Sequence, residues 1–262
     1  MPDRDFTLQA YGDYLDAVKA RQTPFRTVEQ LMRDGMPDTF CLLRHDVDRL
    51  PGRALAMAEL EAAKGAMATY YFRLCPSSFK APIIRRISEL GHEIGFHYES
   101  LSDARGDHAK AHELFARGVE QFSELGIAVK TIAMHGRPLR PEDNRDMWRA
   151  PENRQRLRDQ FAILGEAYLD LDYRDVAYLT DTGRRWDSTT TNLRDQVNSD
   201  VTPTIRSRED MLAYLRSPER ANRLVLQVHP ERWTDHPLGW WTSWFTDKGT
   251  NAAKRLIRLT RS

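Results

Sequence analysis

The chain has 262 residues, of which 40% are hydrophobic and 29% charged, and its formal net charge is +1. This balance provides no global attraction to nucleic acid, so we expect no nucleic-acid partner. The polar, acidic N-terminus predicts no signal peptide, and no apolar run approaches the roughly 18 residues that span a bilayer. The two cysteines, Cys41 and Cys75, lack metal-ligand spacing, which predicts free thiols in a cytoplasmic protein.

The predicted elements alternate between helices and strands along the chain. Residues 5–35 form an N-terminal helical segment, with helices over residues 7–20 and 28–33. The strands that follow read TFCLLRHDV, MATYYFRL, HEIGFHY, VKTIAMH, AYLTDTG and RLVLQVH. The helices between them read GRALAMAELEAAKG, APIIRRISELG, AKAHELFARGVEQFSELG and REDMLAYLRS. This alternation predicts a single α/β domain over residues 1–262. With no Gly-rich phosphate loop, we expect an irregular (β/α) barrel of about seven parallel strands, closed or nearly closed.

Two segments interrupt this rhythm. Residues 136–160 are highly charged, contain three prolines, and predict a loop or insertion over one face. Residues 237–262 join an aromatic cluster to a short basic helix predicted over residues 251–261. Such a helix can lie on a membrane surface. Its apolar stripe is short, so we favour packing across the barrel as an aromatic and helical cover, and we expect no membrane contact.

Ionisable side chains follow five of the predicted strands: Asp46 with Asp48, His97, His135, Asp181 and His229. In a parallel barrel the carboxyl ends of all strands open onto one face, where the active site lies. Imidazole and carboxylate ligands with spare groups for proton transfer are typical of metal-dependent hydrolases. The sequence therefore predicts a divalent metal site on this face.

Strand alternation separates these residues from their neighbours. Asp46 and Asp48 share one side of their strand, whereas His45 points to the other side. We therefore expect His45 to be a buried packing or supporting residue. His92 lies at the opposite end of its strand from His97, which predicts a structural role.

The ordered motifs LLRHDVD, ATYYF, GHEIGFHYE and LQVHP resemble those of the polysaccharide deacetylase family, carbohydrate esterase family 4 with the NodB-homology fold. They extend over residues 40–230, and GHEIGFH is the most specific of them. The Arg-His-Asp-Val-Asp motif is similar to that of a divergent bacterial branch. The resemblance implies removal of an N-acyl group, chiefly acetyl, from an amino sugar or sugar precursor by metal-activated water.

Two departures from the family's usual pattern bear on the metal ligands. The second metal-binding histidine of the family aligns with Leu101, and its metal-binding aspartate aligns with Val47. By the resemblance, His135 replaces the histidine and Asp48 the aspartate. One divalent ion, with zinc as the first expectation, would then be held by Asp48, His97 and His135.

The remaining strand-end residues receive roles in proton transfer. Asp46 would accept the proton of the attacking water, and His229 would protonate the departing amine. An exchange of roles between Asp46 and Asp48 stays open. Arg44 would either orient Asp46 or pair with Asp181.

Six side chains are predicted to contact substrate: Arg44, Tyr98, Glu99, Arg137, Asp181 and Trp186. Asp181 offers a carboxylate to sugar hydroxyls, and Trp186 either stacks on a pyranose ring or packs in the core. Tyr98 and Glu99 either reach substrate or face solvent. Two other functions stay open: hydrolysis of a C–N bond in a small non-sugar amide, and carbohydrate binding without catalysis.

Overall fold

The structure is a computed structural model that describes residues 4–137, 140–186 and 196–261, with side chains as far as residue 250. The helices in this part of the chain are Leu8–Ala20 (α1), Val28–Asp34 (α2), Pro51–Ala63 (α3), Ala81–Glu89 (α4), Ser100–Asp103 (α5), His108–Glu124 (α6), Pro151–Phe161 (α7), Arg208–Arg216 (α8) and Pro237–Arg261 (α9). The strands are Phe25–Arg26 (β1), Phe40–Val47 (β2), Thr69–Phe72 (β3), Glu93–Tyr98 (β4), Thr131–Met134 (β5), Gly165–Glu166 (β6), Val176–Thr180 (β7) and Arg223–Val228 (β8).

Seven strands form one curled parallel sheet in the order β6-β5-β4-β3-β2-β8-β7, and the short β1 pairs with β2. The predicted parallel, barrel-like α/β arrangement is confirmed. The prediction of a closed or nearly closed barrel is wrong, because the sheet is a half-barrel whose edges β6 and β7 do not pair within the described residues. Since β6 contributes only two residues, its edge offers few hydrogen bonds with which closure could be completed.

The central strand β2 is buried on both faces of the sheet. All eight of its residues are buried, as expected for a parallel strand covered by helices on one face and enclosed by the curled sheet on the other. Polar residues begin the helices at several places and satisfy their first amides: Thr7 at α1, Thr27 at α2, Asp107 at α6 and Ser207 at α8.

The segment predicted as a charged loop, residues 136–160, contains helical pieces. A 3₁₀ helix spans Asn144–Met147, and α7 begins at Pro151. Proline is favoured at the first helical position because its missing N–H has no partner there in any case. A proline that suggests a loop can therefore equally start a helix. Pro138 and Leu139 of this segment lie outside the described residues.

The C-terminal helix α9 begins at Pro237 and is therefore longer than the helix predicted over residues 251–261. Ser243 Oγ donates to the Glu231 carbonyl, and Trp240 Nε1 donates to the Asp5 carbonyl. These contacts fasten one face of α9 onto the chain segment that follows β8 and onto the segment that precedes α1. None of the helices in the described part combines the length and apolarity needed to cross a membrane.

Gly95 of the GHEIGFH motif makes room for an aromatic ring beneath the site. A Cβ on Gly95 would lie 2.3 Å from the ring of Tyr71 and 2.9 Å from the carbonyl oxygen of Thr131. The centre of the Tyr71 ring also lies 5.3 Å from the guanidinium carbon of Arg44, so the ring is close to residues of both neighbouring strands, β2 and β4. The glycine is needed because no side chain fits under this ring.

We expect Gly95→Ala to lower the free energy of unfolding by about 1–3 kcal/mol, because overpacking displaces both Tyr71 and the backbone of β5. Urea denaturation measures the change. Gly52→Ala is the matched control, since nothing lies within 4 Å of its Cβ position in α3. An equally stable Gly95→Ala protein would contradict this account of the motif.

Candidate metal centre

Asp46 lies near the end of β2 and is held by a buried ion pair with Arg44. Arg44 Nε and Nη2 donate to its two carboxylate oxygens at 2.9 and 2.8 Å, and Gln227 Nε2 donates to Oδ2 at 2.7 Å. Arg44 and Asp46 can pair in this way because residues two apart on a strand share one face. The carboxylate is therefore fixed by three donors.

This environment keeps Asp46 ionised. Burial alone would raise its pKa, but the charges of Arg44 and His229, and that of His97 at the low pH where it is protonated, outweigh burial and hold the pKa well below its usual range. Asp46 is thus a carboxylate at any physiological pH.

Asp48, His97 and His135 converge beside this carboxylate. Asp48 Oδ1 lies 3.7 Å from His97 Nε2 and 3.5 Å from His135 Nε2. Asp46 Oδ2 lies 3.7 Å from the same nitrogen of His97. Three strand ends, those of β2, β4 and β5, therefore deliver one carboxylate and two imidazoles to one point.

Both imidazoles are oriented through their other nitrogen. His97 Nδ1 lies 3.0 Å from the Ala133 carbonyl oxygen, which accepts a hydrogen bond from it. His135 Nδ1 lies 2.7 Å from Glu99 Oε2, and Arg73 Nη2 in turn donates to Glu99 Oε1 at 2.9 Å. With Nδ1 protonated, the neutral imidazole carries its lone pair on Nε2, on the side of Asp48. Burial lowers the pKa of His97, which favours this neutral form.

Two features of this donor set bear on whether it could hold a divalent cation. Asp48 Oδ1 is buried and has no hydrogen-bond partner, an arrangement that is costly for a carboxylate unless a cation satisfies it. Two donors about 2 Å from a tetrahedral zinc ion lie roughly 3.3 Å apart. The observed separations of 3.5 and 3.7 Å are only slightly wider. As the side chains stand, no group of three or more His, Cys, Asp or Glu residues within residues 4–137, 140–186 and 196–261 is arranged so that it could hold a metal ion.

His229, which follows β8, forms a buried dyad with Asp181. Its Nδ1 lies 2.7 Å from Asp181 Oδ1, and its backbone N–H donates to Oδ2 at 3.0 Å. Burial and the neighbouring Arg232 oppose a charge on His229, but Asp181 outweighs both and raises its pKa to about 9. His229 is therefore an imidazolium at neutral pH, whereas His97 is neutral.

Three of the predicted substrate contacts, Arg44, Tyr98 and Asp181, have buried side chains. Arg44 and Asp181 are fully enclosed, and each serves a catalytic candidate instead. Tyr98 points into the core against Phe115, on the opposite side of β4 from His97.

Trp186 packs in the core, which is one of the two alternatives given for it above. Its indole stacks on Phe6 and lies tilted against Trp233, and its Nε1 donates to Asp5. It is buried and cannot offer a platform to a sugar ring.

Glu99 and Arg137 remain near the rim. Glu99 is mainly a support for His135, as described above. The side chain of Arg137 is 32% exposed and pairs with Asp103, so it is the predicted substrate contact most open to solvent.

The two histidines predicted to be structural lie behind the sheet. His45 Nε2 is 2.6 Å from Glu61 Oε1. His92 Nδ1 accepts from the Ala68 amide, and its Nε2 donates to the Ala58 carbonyl. Neither histidine reaches the donor set.

Three residues that lie close to the candidate site were not identified from the sequence: Arg73, Gln227 and Glu231. Gln227 precedes His229 by two residues and pairs in register with Arg44, so strand alternation was the signal that could have found it. Glu231 is buried with no partner for Oε2, and burial together with the nearby charge of Asp48 raises its pKa to about 7. Nothing in the HPERW motif marks this residue, because its position depends on the turn after β8.

Comparisons with known proteins add no relatives. No protein-family profile matches the chain, and no curated protein matches it.

We expect His135→Ala to abolish stoichiometric metal binding, because the remaining aspartate and histidine form an incomplete site. Metal content after incubation with zinc and gel filtration, measured by mass spectrometry, gives the ratio of metal to protein. His108→Ala, a change at an exposed histidine on α6, is the control and should bind as the unmodified protein does. Retention of one ion at unchanged affinity in His135→Ala would remove His135 from the ligand set.

Proposed function

We propose that the protein is a metal-dependent hydrolase that removes an N-acyl group, acetyl in the first instance, from an amino sugar or sugar precursor. One observation carries the proposal. An ionised carboxylate fixed by Arg44 and an imidazolium fixed by Asp181 flank the donor set of Asp48, His97 and His135. Hydrolysis of an amide requires a proton acceptor for water and a proton donor for the amine, and this pairing supplies one of each.

The metal belongs to the same proposal. Asp48, His97 and His135 would hold one divalent ion, with zinc as the first expectation. When bound, such an ion polarises a carbonyl group and lowers the pKa of water toward about 7. The orphaned oxygen of Asp48 and the outward lone pairs of the two imidazoles support this assignment.

Asp46 is the proposed proton acceptor. Its three donors prevent rotation of the carboxylate, so the oxygen nearest His97 stays directed toward the site. A carboxylate with so low a pKa is a weak base. It can therefore accept a proton only from a water that the site itself makes acidic, which is consistent with a metal-dependent reaction.

His229 is the proposed proton donor. Its Nδ1 is occupied by Asp181, so Nε2 is the nitrogen that can protonate the leaving amine. The charge held on this imidazole at neutral pH provides the proton before the reaction begins. Without that proton, an amine anion would have to depart, which is unfavourable.

The amino-sugar substrate rests on the motif resemblance. A cavity of about 270 Å³ opens beside His97 and Glu99, and its lining is both apolar and polar: Leu74, Phe96, Ser100, Asp103, Leu114, Arg117 and Gln121. A second candidate, hydrolysis of a small non-sugar amide, is favoured by the burial of Trp186, which removes the one aromatic platform predicted for a pyranose.

We expect Asp46→Asn to retain its metal but to lose nearly all turnover, because asparagine cannot accept the proton. His229→Ala should lose roughly 10²–10⁴-fold in rate, the usual size of a general acid contribution. Amine release from N-acetylated amino sugars and from small non-sugar amides measures both effects and separates the two candidate substrates.

Folding and metal content are the controls for these variants. Asp46→Asn leaves the Arg44 charge uncompensated in the core, so its melting temperature should also fall. Loss of metal from a folded Asp46→Asn protein would exchange the roles of Asp46 and Asp48. Failure of the metal-loaded protein to release amine from any amide would contradict the proposed activity.

The rate should fall as the pH rises through about 9, because His229 is the acid only while it is protonated. Asp181→Asn removes the charge that raises the pKa of His229, so the alkaline limb of kcat/KM should move to lower pH. Asp172→Asn, a change at an exposed carboxylate, is the control. An unshifted limb in a folded Asp181→Asn protein would show that His229 is not the titrating acid.

A further inference from the structure

Helix α9 has one face fastened to the fold and another left uncovered. The fastened face carries Trp240, Ser243 and Asp247, and Asp247 pairs with Arg184 at 2.7 Å in addition to the contacts described above. A helix held along one side in this way can present its other side without being displaced.

The uncovered face is an apolar stripe of Leu238, Trp241 and Phe245, here termed the aromatic stripe. Their exposed fractions are 72%, 40% and 65%. Only one other large hydrophobic residue in the described part of the chain, Leu50, is exposed to this degree. Scattered exposed hydrophobics are ordinary on protein surfaces, whereas three at helical spacing on one face indicate an interaction surface.

Positive charge borders the aromatic stripe. The Arg4 guanidinium lies 4.9 Å from the ring centre of Trp241, and Lys248 Nζ lies 5.2 Å from that of Trp244. In the sequence, residues 248–262 contain five lysines and arginines and no acidic residue. A negatively charged partner surface would be complementary to this positively charged border.

The sequence continues the stripe at the same helical spacing. Ala252, Leu256 and Leu259 follow Phe245 at intervals of seven, four and three residues, within the bounds of α9. The expectation of no membrane contact relied on a short stripe confined to residues 251–261. Because α9 starts at Pro237, the apolar positions extend from Leu238 to Leu259.

We infer that α9 docks the protein onto an anionic lipid surface through the aromatic stripe. Tryptophan and phenylalanine enter the boundary between headgroups and acyl chains, and lysine and arginine attract anionic headgroups. The helix lies in the plane of the surface, since it lacks the apolarity to cross a bilayer. This inference does not depend on the proposed hydrolase activity.

Flotation of the full-length protein with vesicles tests the inference. The protein should float with vesicles that contain phosphatidylcholine and phosphatidylglycerol, and should float poorly with phosphatidylcholine alone. Binding should weaken as salt is added, because exposed charges are screened. Tryptophan emission should shift to shorter wavelength on binding.

The double variant Trp241→Ser and Phe245→Ser should bind anionic vesicles roughly 10-fold or more weakly, since it removes most of the apolar area of the stripe. Thr242→Ala, at an exposed polar position of the same helix, is the matched control and should bind as the unmodified protein does. Equal binding by the double variant, or no binding of the unmodified protein to anionic vesicles, would overturn the inference. A change of oligomeric state in the double variant without vesicle binding by the unmodified protein would assign the stripe to self-association and would also overturn it.

Discussion

The burial of the Arg44–Asp46 ion pair is the constraint on which the site depends. A guanidinium and a carboxylate that are almost completely removed from water must satisfy each other and their remaining hydrogen bonds. Gln227 from β8 donates to the carboxylate and Tyr168 beyond β6 accepts from the guanidinium, whereas Arg44 Nη1 is buried without a hydrogen-bond partner among the described residues. The ion pair on β2 therefore requires polar partners from neighbouring parts of the sheet. Several side chains together, and not one alone, fix the position of Asp46.

The opposite face of β2 carries a second buried polar cluster. Glu61 of α3 lies 2.6 Å from His45 Nε2 and accepts from Tyr11 at 2.5 Å and from Tyr70 at 2.7 Å. Burial opposes a charge on Glu61, but His45 and the other donors lower its pKa, so the carboxylate stays ionised. The end of β2 is thus held from both sides. A strand held in this way can keep the geometry of Asp46 and Asp48 without support from the loop that follows them.

Two patterns made most of the fold predictable: the alternation of side chains along each strand, and the alternation of helices with strands along the chain. They placed Asp46 and Asp48 on one side of a strand and His45 on the other, and they brought His97 and His135 to neighbouring strand ends. Closure of the barrel was not predictable, because it depends on the pairing of β6 and β7 across the sheet. The burial of two predicted substrate contacts was not predictable for a related reason. Burial of Asp181 and Trp186 depends on how α1 and the segment after β8 pack, which no local pattern records.

The protonation states of the histidines show what the environment adds to residue identity. His97 and His229 both follow or end buried strands, and the sequence distinguishes them only by position. Burial lowers the pKa of His97, whose Nδ1 faces a neutral carbonyl oxygen, whereas Asp181 raises that of His229 despite equal burial. One imidazole is left with a lone pair and the other with a proton, as the proposed hydrolase requires of a metal ligand and of an acid. When the surroundings move the pKa values of two titratable groups apart in this way, one site can contain both a ligand and an acid at neutral pH. The two histidines differ most directly in the acceptor at Nδ1, a carbonyl oxygen for His97 and a carboxylate for His229.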